Sequence, residues 1–179
     1  KAAIALFNAA ATTEELEDTE KAIDLYESVI KRYPKSSQAT ESHFVLGALY
    51  ESQTDFKTAA KYFEKMASFP DVPQMADALY NAGAIRAALE EYDKAIDIFE
   101  TYVKKFPERD DVREIYIKIA EFYSKLGKYK QAHKAYNNYI KKYRKARPDS
   151  LVEIHLREAK LFIEEGGKRS RRNAEKALK

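Results

Sequence analysis

The chain has 179 residues, of which 45% are hydrophobic and 34% charged, and a formal net charge of +3. It has no cysteine and only five glycines and five prolines, which excludes disulfides, cysteine-based zinc sites and thiol chemistry and argues against a turn-rich all-β protein. No apolar run approaches the roughly 18 residues of a membrane span, and no signal peptide is visible. The chain starts at Lys1 without an initiator methionine and reads as an excised fragment, so a targeting signal is expected outside it.

In chain order, residues 3–10 make a first amphipathic segment ending on the small Ala10, and "KAIDLYESVIKRYP" (Lys21–Pro34) makes a second. Then come "HFVLGALY" (His43–Tyr50), "KTAAKYFEKMASFP" (Lys57–Pro70), "LYNAGAIR" (Leu79–Arg86) and "KAIDIFETYVKKFP" (Lys94–Pro107). "YIKIAEFY" (Tyr116–Tyr123), "KQAHKAYNNYIKKY" (Lys130–Tyr143) and "HLREAKLF" (His155–Phe162) follow, and the basic tail "KRSRRNAEKALK" (Lys168–Lys179) closes the chain. Each segment has apolar residues at three- and four-residue spacing, the mark of an amphipathic helix.

The segments repeat. Lys21–Pro34 and Lys94–Pro107 are identical at seven of fourteen positions. Ala22, Ala59, Ala95 and Ala132 recur at spacings of 37, 36 and 37, each followed four residues later by an aromatic: Tyr26, Phe63, Phe99 and Tyr136. The alternate segments align on Gly47, Gly83, Ala120 and Ala159. The unit is therefore helix A, a short turn and helix B, occurring about four and a half times: residues 1–36, 37–72, 73–109, 110–147 and a partial 148–179. The tail would begin the B helix of the unfinished fifth unit. A helix pair cannot bury its apolar faces alone, whereas stacked pairs build a continuous core. Where two helix axes cross closely only Gly or Ala fits, and aromatics fill the wider gaps. Pro34, Pro70 and Pro107 would end B helices, because proline lacks an N–H and disfavours helical geometry before it; Pro148 is displaced from that register. Gly127 in "KLGKY" suits a left-handed helix stop. Acidic pairs such as Glu14/Glu15 and Asp110/Asp111 lie near helix ends, where solvation and capping are expected of them.

The order Gly/Ala, aromatic, aromatic, Ala, aromatic, Pro resembles the tetratricopeptide repeat. Gly47, Tyr50, Phe56, Ala59, Phe63 and Pro70 carry it in the second unit. Gly83, Tyr92, Ala95, Phe99 and Pro107 carry it in the third, where Arg86 replaces the usual aromatic, and Ala120, Tyr123, Tyr129, Ala132 and Tyr136 carry it in the fourth. The family's early tryptophan is absent, and the period exceeds the usual 34 by two or three residues. The resemblance implies an all-α, right-handed superhelical solenoid over the whole chain. The longer period and the junction "RYPKSSQATESHFVLGALY" are also similar to bacterial envelope repeat proteins, such as the lipoprotein of the β-barrel assembly machine and the periplasmic partner of the Tol system. That similarity points to the periplasm or envelope.

Family geometry implies that A helices line a groove, with the second, fifth, ninth and twelfth positions of each unit facing it. The second-position column after the first unit reads Glu41, Asp77, Glu114 and Glu153; the fifth reads Phe7, Phe44, Tyr80, Ile117 and Leu156; the ninth reads Ala11, Ala48, Ala84, Glu121 and Lys160. An apolar floor with an acidic edge suits a protein or peptide segment with apolar anchors and basic residues. Phe44, Tyr80, Ile117, Asp77, Glu114, Glu41 and Asn81 are the expected contact residues, although the apolar column would also serve to pack A helices together. Chaperone-binding members of the family grip a C-terminal carboxylate with Lys, Asn and Arg. Phe44, Ala48, Asp77, Asn81 and Glu114 stand at those positions here, and only Asn81 matches, so no such receptor is expected.

The function expected is a protein–protein interaction scaffold or adaptor. Two alternatives stand beside it: a structural spacer that stacks on further repeats and self-associates, or a working surface on the basic half for an acidic protein or nucleic acid. Residues 1–90 hold 9 Lys/Arg against 14 Asp/Glu, and residues 91–179 hold 23 against 15, so charge would bear on partner choice. Lys141, Lys142 and Arg144 would carry the basic-surface reading. The tyrosines Tyr129, Tyr136, Tyr139 and Tyr143 fall at helical spacing among those lysines, which favours a core role over base stacking. No catalytic motif, small-molecule substrate, metal or cofactor is implied: His43, His133 and His155 fall in different units, and there is no HExxH, phosphate-cradling loop or nucleophile elbow.

Overall fold

The segments form helices: the second helix of each hairpin sets one apolar stripe against charged residues, whereas residues 2–15, 37–52 and 75–88 each hold only two charged side chains and are small or apolar over most of their surface. The computed structural model describes residues 1–70, 72–143 and 148–177. They form ten helices in an A, B order repeated five times, and no strand occurs among the described residues. The chain divides into two units, Lys1–Glu90 and Glu91–Lys179, at the same point where the charge balance changes sign.

The first unit holds α1 (Ala2–Glu15), α2 (Thr19–Arg32), α3 (Ser37–Ser52), α4 (Phe56–Ala67) and α5 (Met75–Ala88). Each packs on the next, and α1 also touches α3. The second unit holds α6 (Tyr92–Lys105), α7 (Val112–Lys125), α8 (Tyr129–Lys142), α9 (Pro148–Glu165) and α10 (Gly167–Ala177), again packed in series. The last two helices, α9 and α10, form a fifth A–B pair, with the basic tail in its B helix. Pro148 differs from the other prolines: it opens α9 instead of following a B helix, a first-turn place where a missing N–H costs nothing.

The repeat positions are core positions. Ala22, Ala59, Ala95 and Ala132 are fully buried, and Tyr26, Phe63, Phe99 and Tyr136 nearly so. Gly47 shows why the small residue is needed. A Cβ built there would stand 2.8 Å from Cδ1 and Cε1 of Phe63, whose ring is fully buried and has nowhere to go. In the first unit Ala10, Ala22, Ile23, Tyr26, Leu46 and Leu49 form one cluster, edged by Phe7, Leu25 and Tyr50.

Every A-to-B turn places one residue in the left-handed region: Glu17 (φ 62°), Thr54 (62°), Glu90 (59°), Gly127 (68°) and Gly166 (79°). Glycine was the expected signal, yet three of these five are not glycine. The hydrogen bonds supply the reason. After α3, Thr54 N–H donates to Glu51 O and Asp55 N–H to Tyr50 O, both at 2.9 Å, a pattern that satisfies the last helical carbonyls. The same pair recurs after α1 and α7. The residue after the left-handed one then caps the B helix in two turns, Asp18 accepting from Lys21 N–H at 3.3 Å and Asp55 from Thr58 N–H at 3.2 Å. Hydrogen bonds from Thr58 hold the Asp55 carboxyl below the usual carboxylate range.

Two acidic residues expected to cap or solvate do neither. Glu14 Oε2 accepts from Tyr26 OH at 2.9 Å. Asp111 precedes α7 without a side-chain bond to its N-terminus; its Oδ2 accepts instead from Tyr102 OH at 2.6 Å. Both carboxylates serve buried tyrosine hydroxyls, which must find acceptors once taken out of water.

Candidate partner-binding site

A pairing links three B helices, α2, α4 and α6, to the A helix that follows each, whereas on α8 Asn137 stands in the place of the glutamate. Glu27 on α2 accepts from Tyr50 OH on α3 at 3.2 Å. Tyr62 on α4 donates to the same Oε1 at 2.8 Å, its ring stacked on Tyr50 with centroids 5.5 Å apart. In the second unit Tyr123 on α7 donates to Glu100 on α6 at 2.9 Å. In the register of Tyr50 and Tyr123, Arg86 on α5 pairs with Glu64 on α4 at 2.6 Å. The departure from the aromatic at Arg86 thus keeps the donor while changing its chemistry. Burial and the Glu27 bond raise the Tyr62 hydroxyl well above its ordinary value, and burial with the Glu100 bond pushes Tyr123 up to about 12.

With one side of α3, α5 and α7 committed to that pairing, the opposite stripe is left outward. In the first unit Glu41, Phe44 and Ala48 lie on α3 at spacings of three and four, and Asp77, Tyr80, Asn81 and Ala84 follow the same register on α5. Glu41, Asp77, Ala48 and Ala84 are exposed, and Phe44, Tyr80 and Asn81 are half-buried. Phe44 also packs edge-on against Phe63, with centroids 5.4 Å apart at 70°, as Phe7 does against Tyr26 at 5.3 Å. The fifth-position ring therefore holds its own hairpin together with one edge and shows solvent the other.

In the second unit Glu114, Ile117 and Glu121 form the stripe on α7, and Glu153, Leu156 and Lys160 form it on α9. Glu114 is exposed and pairs with Lys118 at 2.9 Å; Ile117 is half-buried. Glu121, Glu153, Leu156 and Lys160 converge on one cavity of about 600 Å³, with Tyr136 of α8 and Leu161 also lining it. Leu156 is 54% exposed there. Arg157, which sequence reasoning did not single out, pairs with Glu121 and with Glu153, the latter at 2.8 Å. The arginine bridges the two A helices and ties up Glu153 of the acidic column together with Glu121. Burial, with the Glu121 carboxylate nearby, pushes Tyr136 up to about 12. The only sequence signal for Arg157 was its place beside the column residue Leu156.

The tyrosines of the basic run behave as core. Tyr136 and Tyr139 are buried and Tyr129 and Tyr143 half-buried, while Lys130, Lys134, Lys141 and Lys142 are exposed. Arg144 lies outside the described residues. Among the described residues no group of three or more His, Asp or Glu side chains is placed to hold a metal ion, and no described helix is long and apolar enough to cross a membrane.

The tetratricopeptide repeat family model matches residues 4–36, 77–109 and 114–146, more than half of the chain. Solved structures share the fold. The chain is 19% identical to MamA over 98% of its own length and 90% of that chain, with a TM-score of 0.61. It is 16% identical to MamA from Desulfovibrio magneticus RS-1, covering 98% and 90%, with a TM-score of 0.59. It is 17% identical to YrrB, described as a TPR protein with an unusual peptide-binding site, covering 98% and 82% with a TM-score of 0.61. A sequence search among curated proteins matched none.

Proposed function

The chain belongs to the tetratricopeptide repeat family, and on that premise we infer that it is an interaction scaffold that holds a partner segment on the outward stripes of its A helices. The observation that carries this is the cavity between α7 and α9. Its size, about 600 Å³, suits one or two large side chains. It offers an exposed Leu156 beside a charged Glu121–Arg157–Glu153 bridge. An apolar anchor would displace water from Leu156 and Tyr136. A basic residue beside it would compete with Arg157 for Glu121 and Glu153. In the first unit Phe44 and Tyr80 offer apolar surface, with Glu41, Asp77 and Asn81 at their edges. Affinity comes from the anchors, and charge sets rate and selectivity. No covalent step is assigned. A setting in a bacterial envelope assembly rests on the repeat period and the junction after Tyr33.

The test uses peptides selected from a random library on the immobilised chain, with affinities then measured by fluorescence anisotropy. The selected peptides should pair an apolar residue with Lys or Arg. Leu156→Asp should weaken binding at least tenfold, as should Asp77→Ala with Tyr80→Ala for peptides that engage the first unit, with helical circular dichroism retained in both. Unchanged affinity in these variants would move the interface elsewhere.

A further inference from the structure

On the second unit the B helices α6 and α8 leave a cleft of about 440 Å³ between them, floored by α7. Val103, Tyr116, Ile119 and Ala135 make an apolar floor, reached past the exposed Lys104 and Lys134. Neither lysine makes an ion pair among the described residues, whereas the cleft's carboxylate, Glu100, accepts the Tyr123 hydroxyl at 2.9 Å. Lys142 Nζ donates to the Pro107 carbonyl at 2.6 Å and closes one end. No carboxylate occurs anywhere on α8, whose outward residues are Lys130, Gln131, Lys134, Asn137, Asn138 and Lys141. The cleft thus joins an apolar floor to a rim where two exposed lysines, without an ion pair among the described residues, outnumber one carboxylate, Glu100.

We propose that this cleft is a second docking site, for a short acidic segment that inserts one aromatic or branched apolar side chain between α6 and α8. The floor explains the anchor: Val103, Ile119 and Ala135 are already buried, and an apolar side chain laid over them covers the half-buried Tyr116 ring and releases the water on it. The rim explains the flanks: carboxylates on either side of the anchor reach Lys104 and Lys134 without having to displace an existing partner. Charge focused at a low-dielectric cleft raises the encounter rate, and the effect falls with salt because these are exposed charges. The occupant is a peptide and not a nucleic acid because the tyrosines of the basic run are spent inward and the cleft's own rings, Tyr116 and Tyr123, are half-buried. Tyr136 and Tyr139 are buried, and Tyr143 lies under Arg113, so these rings offer bases no stacking platform.

The probe is a fluorescein-labelled ten-residue peptide with a central Phe-Leu pair and four glutamates on each side, titrated by anisotropy at low salt and again at 150 mM. Saturable binding is expected, weakened at least tenfold by Lys104→Glu with Lys134→Glu and severalfold by the corresponding alanine pair, and unaffected by Leu156→Asp. An all-glutamate peptide and a peptide with lysines replacing the glutamates should bind at least tenfold more weakly. Absence of saturable binding, equal binding by the all-glutamate peptide, or equal binding by both lysine variants would overturn the proposal. Tighter binding of a labelled oligothymidine, lost in the same variants, would overturn it in favour of nucleic acid.

Discussion

Arg86 Nε donates to Glu64 Oε1 at 2.6 Å, in the place where Tyr50 donates to Glu27 and Tyr123 to Glu100. Across these three joints the A-helix donor varies and the B-helix glutamate stays, so the acceptor is the fixed half of the joint. Arg86 is 5% exposed, and its loss would leave Glu64 partly buried without its partner. Arg86→Ala should cost about 2 kcal/mol, below the value for a fully buried pair because Glu64 keeps some solvent. Arg86→Tyr should cost less than half as much, since a hydroxyl in that register reaches the same carboxylate. Urea unfolding of both variants checks this; equal losses would show that the joint is packing and not the donor–acceptor pair.

Gly47→Ala should destabilise despite alanine's better helix propensity. The new methyl would press on the Phe63 ring at 2.8 Å, an overpacking cost of about 1–3 kcal/mol against a propensity gain of about 1 kcal/mol. A lower melting temperature is expected, and a higher one would mean that Phe63 can yield.

Thr54→Gly should stabilise. Thr54 holds φ 62°, a region costly for a β-branched residue, and glycine adopts it freely at an entropic cost in the unfolded chain. The net gain should be about 0.5–1 kcal/mol. Gly127→Ala, at φ 68°, should lose about 1 kcal/mol by the same physics. Thermal melts of the two variants should move in opposite directions.

Alkali should unfold the chain through its tyrosines. Tyr123 and Tyr136 are pushed up to about 12, and Tyr26 and Tyr62 are raised further by burial and their glutamate partners. A folded-state value above the unfolded 10 means that the native chain keeps protons the unfolded chain releases. Stability from these groups is therefore whole below pH 10 and lost progressively above it. Phenolate absorbance followed with circular dichroism should show part of the tyrosines ionising only as helix is lost. Complete ionisation near pH 10 with the helices intact would contradict the buried hydroxyl–carboxylate pairs.

The helices, the small positions and the aromatic register were legible because each follows from local periodicity or from one side chain meeting one axis. Even the basic tail was readable as a B helix. The pairing of Arg86 with Glu64 was not, because it joins residues 22 apart across a helix-to-helix contact that no local pattern encodes. The left-handed turns at Glu17, Thr54 and Glu90 were missed because glycine was the only signal sought, whereas the carbonyl-satisfying hydrogen bonds impose the geometry on any residue. Asp111 and Glu14 were read as local caps, and the distant hydroxyls of Tyr102 and Tyr26 took them. Glu121, Glu153, Leu156 and Lys160 of the outward columns line the cavity between α7 and α9, but none of the seven expected contact residues does. Arg157 escaped because its role depends on the spacing of two helices.

The central claim is that the A-helix stripes receive the partner. The most direct measurement is an NMR methyl titration of the chain, labelled at Ile, Leu and Val, with a library-selected peptide carrying an apolar anchor and basic flanks. The account predicts shifts at Ile117 and Leu156, with Val103 and Ile119 in the cleft between α6 and α8 unmoved. Shifts confined to Val103 and Ile119, or absent from Leu156 at saturation, would contradict it.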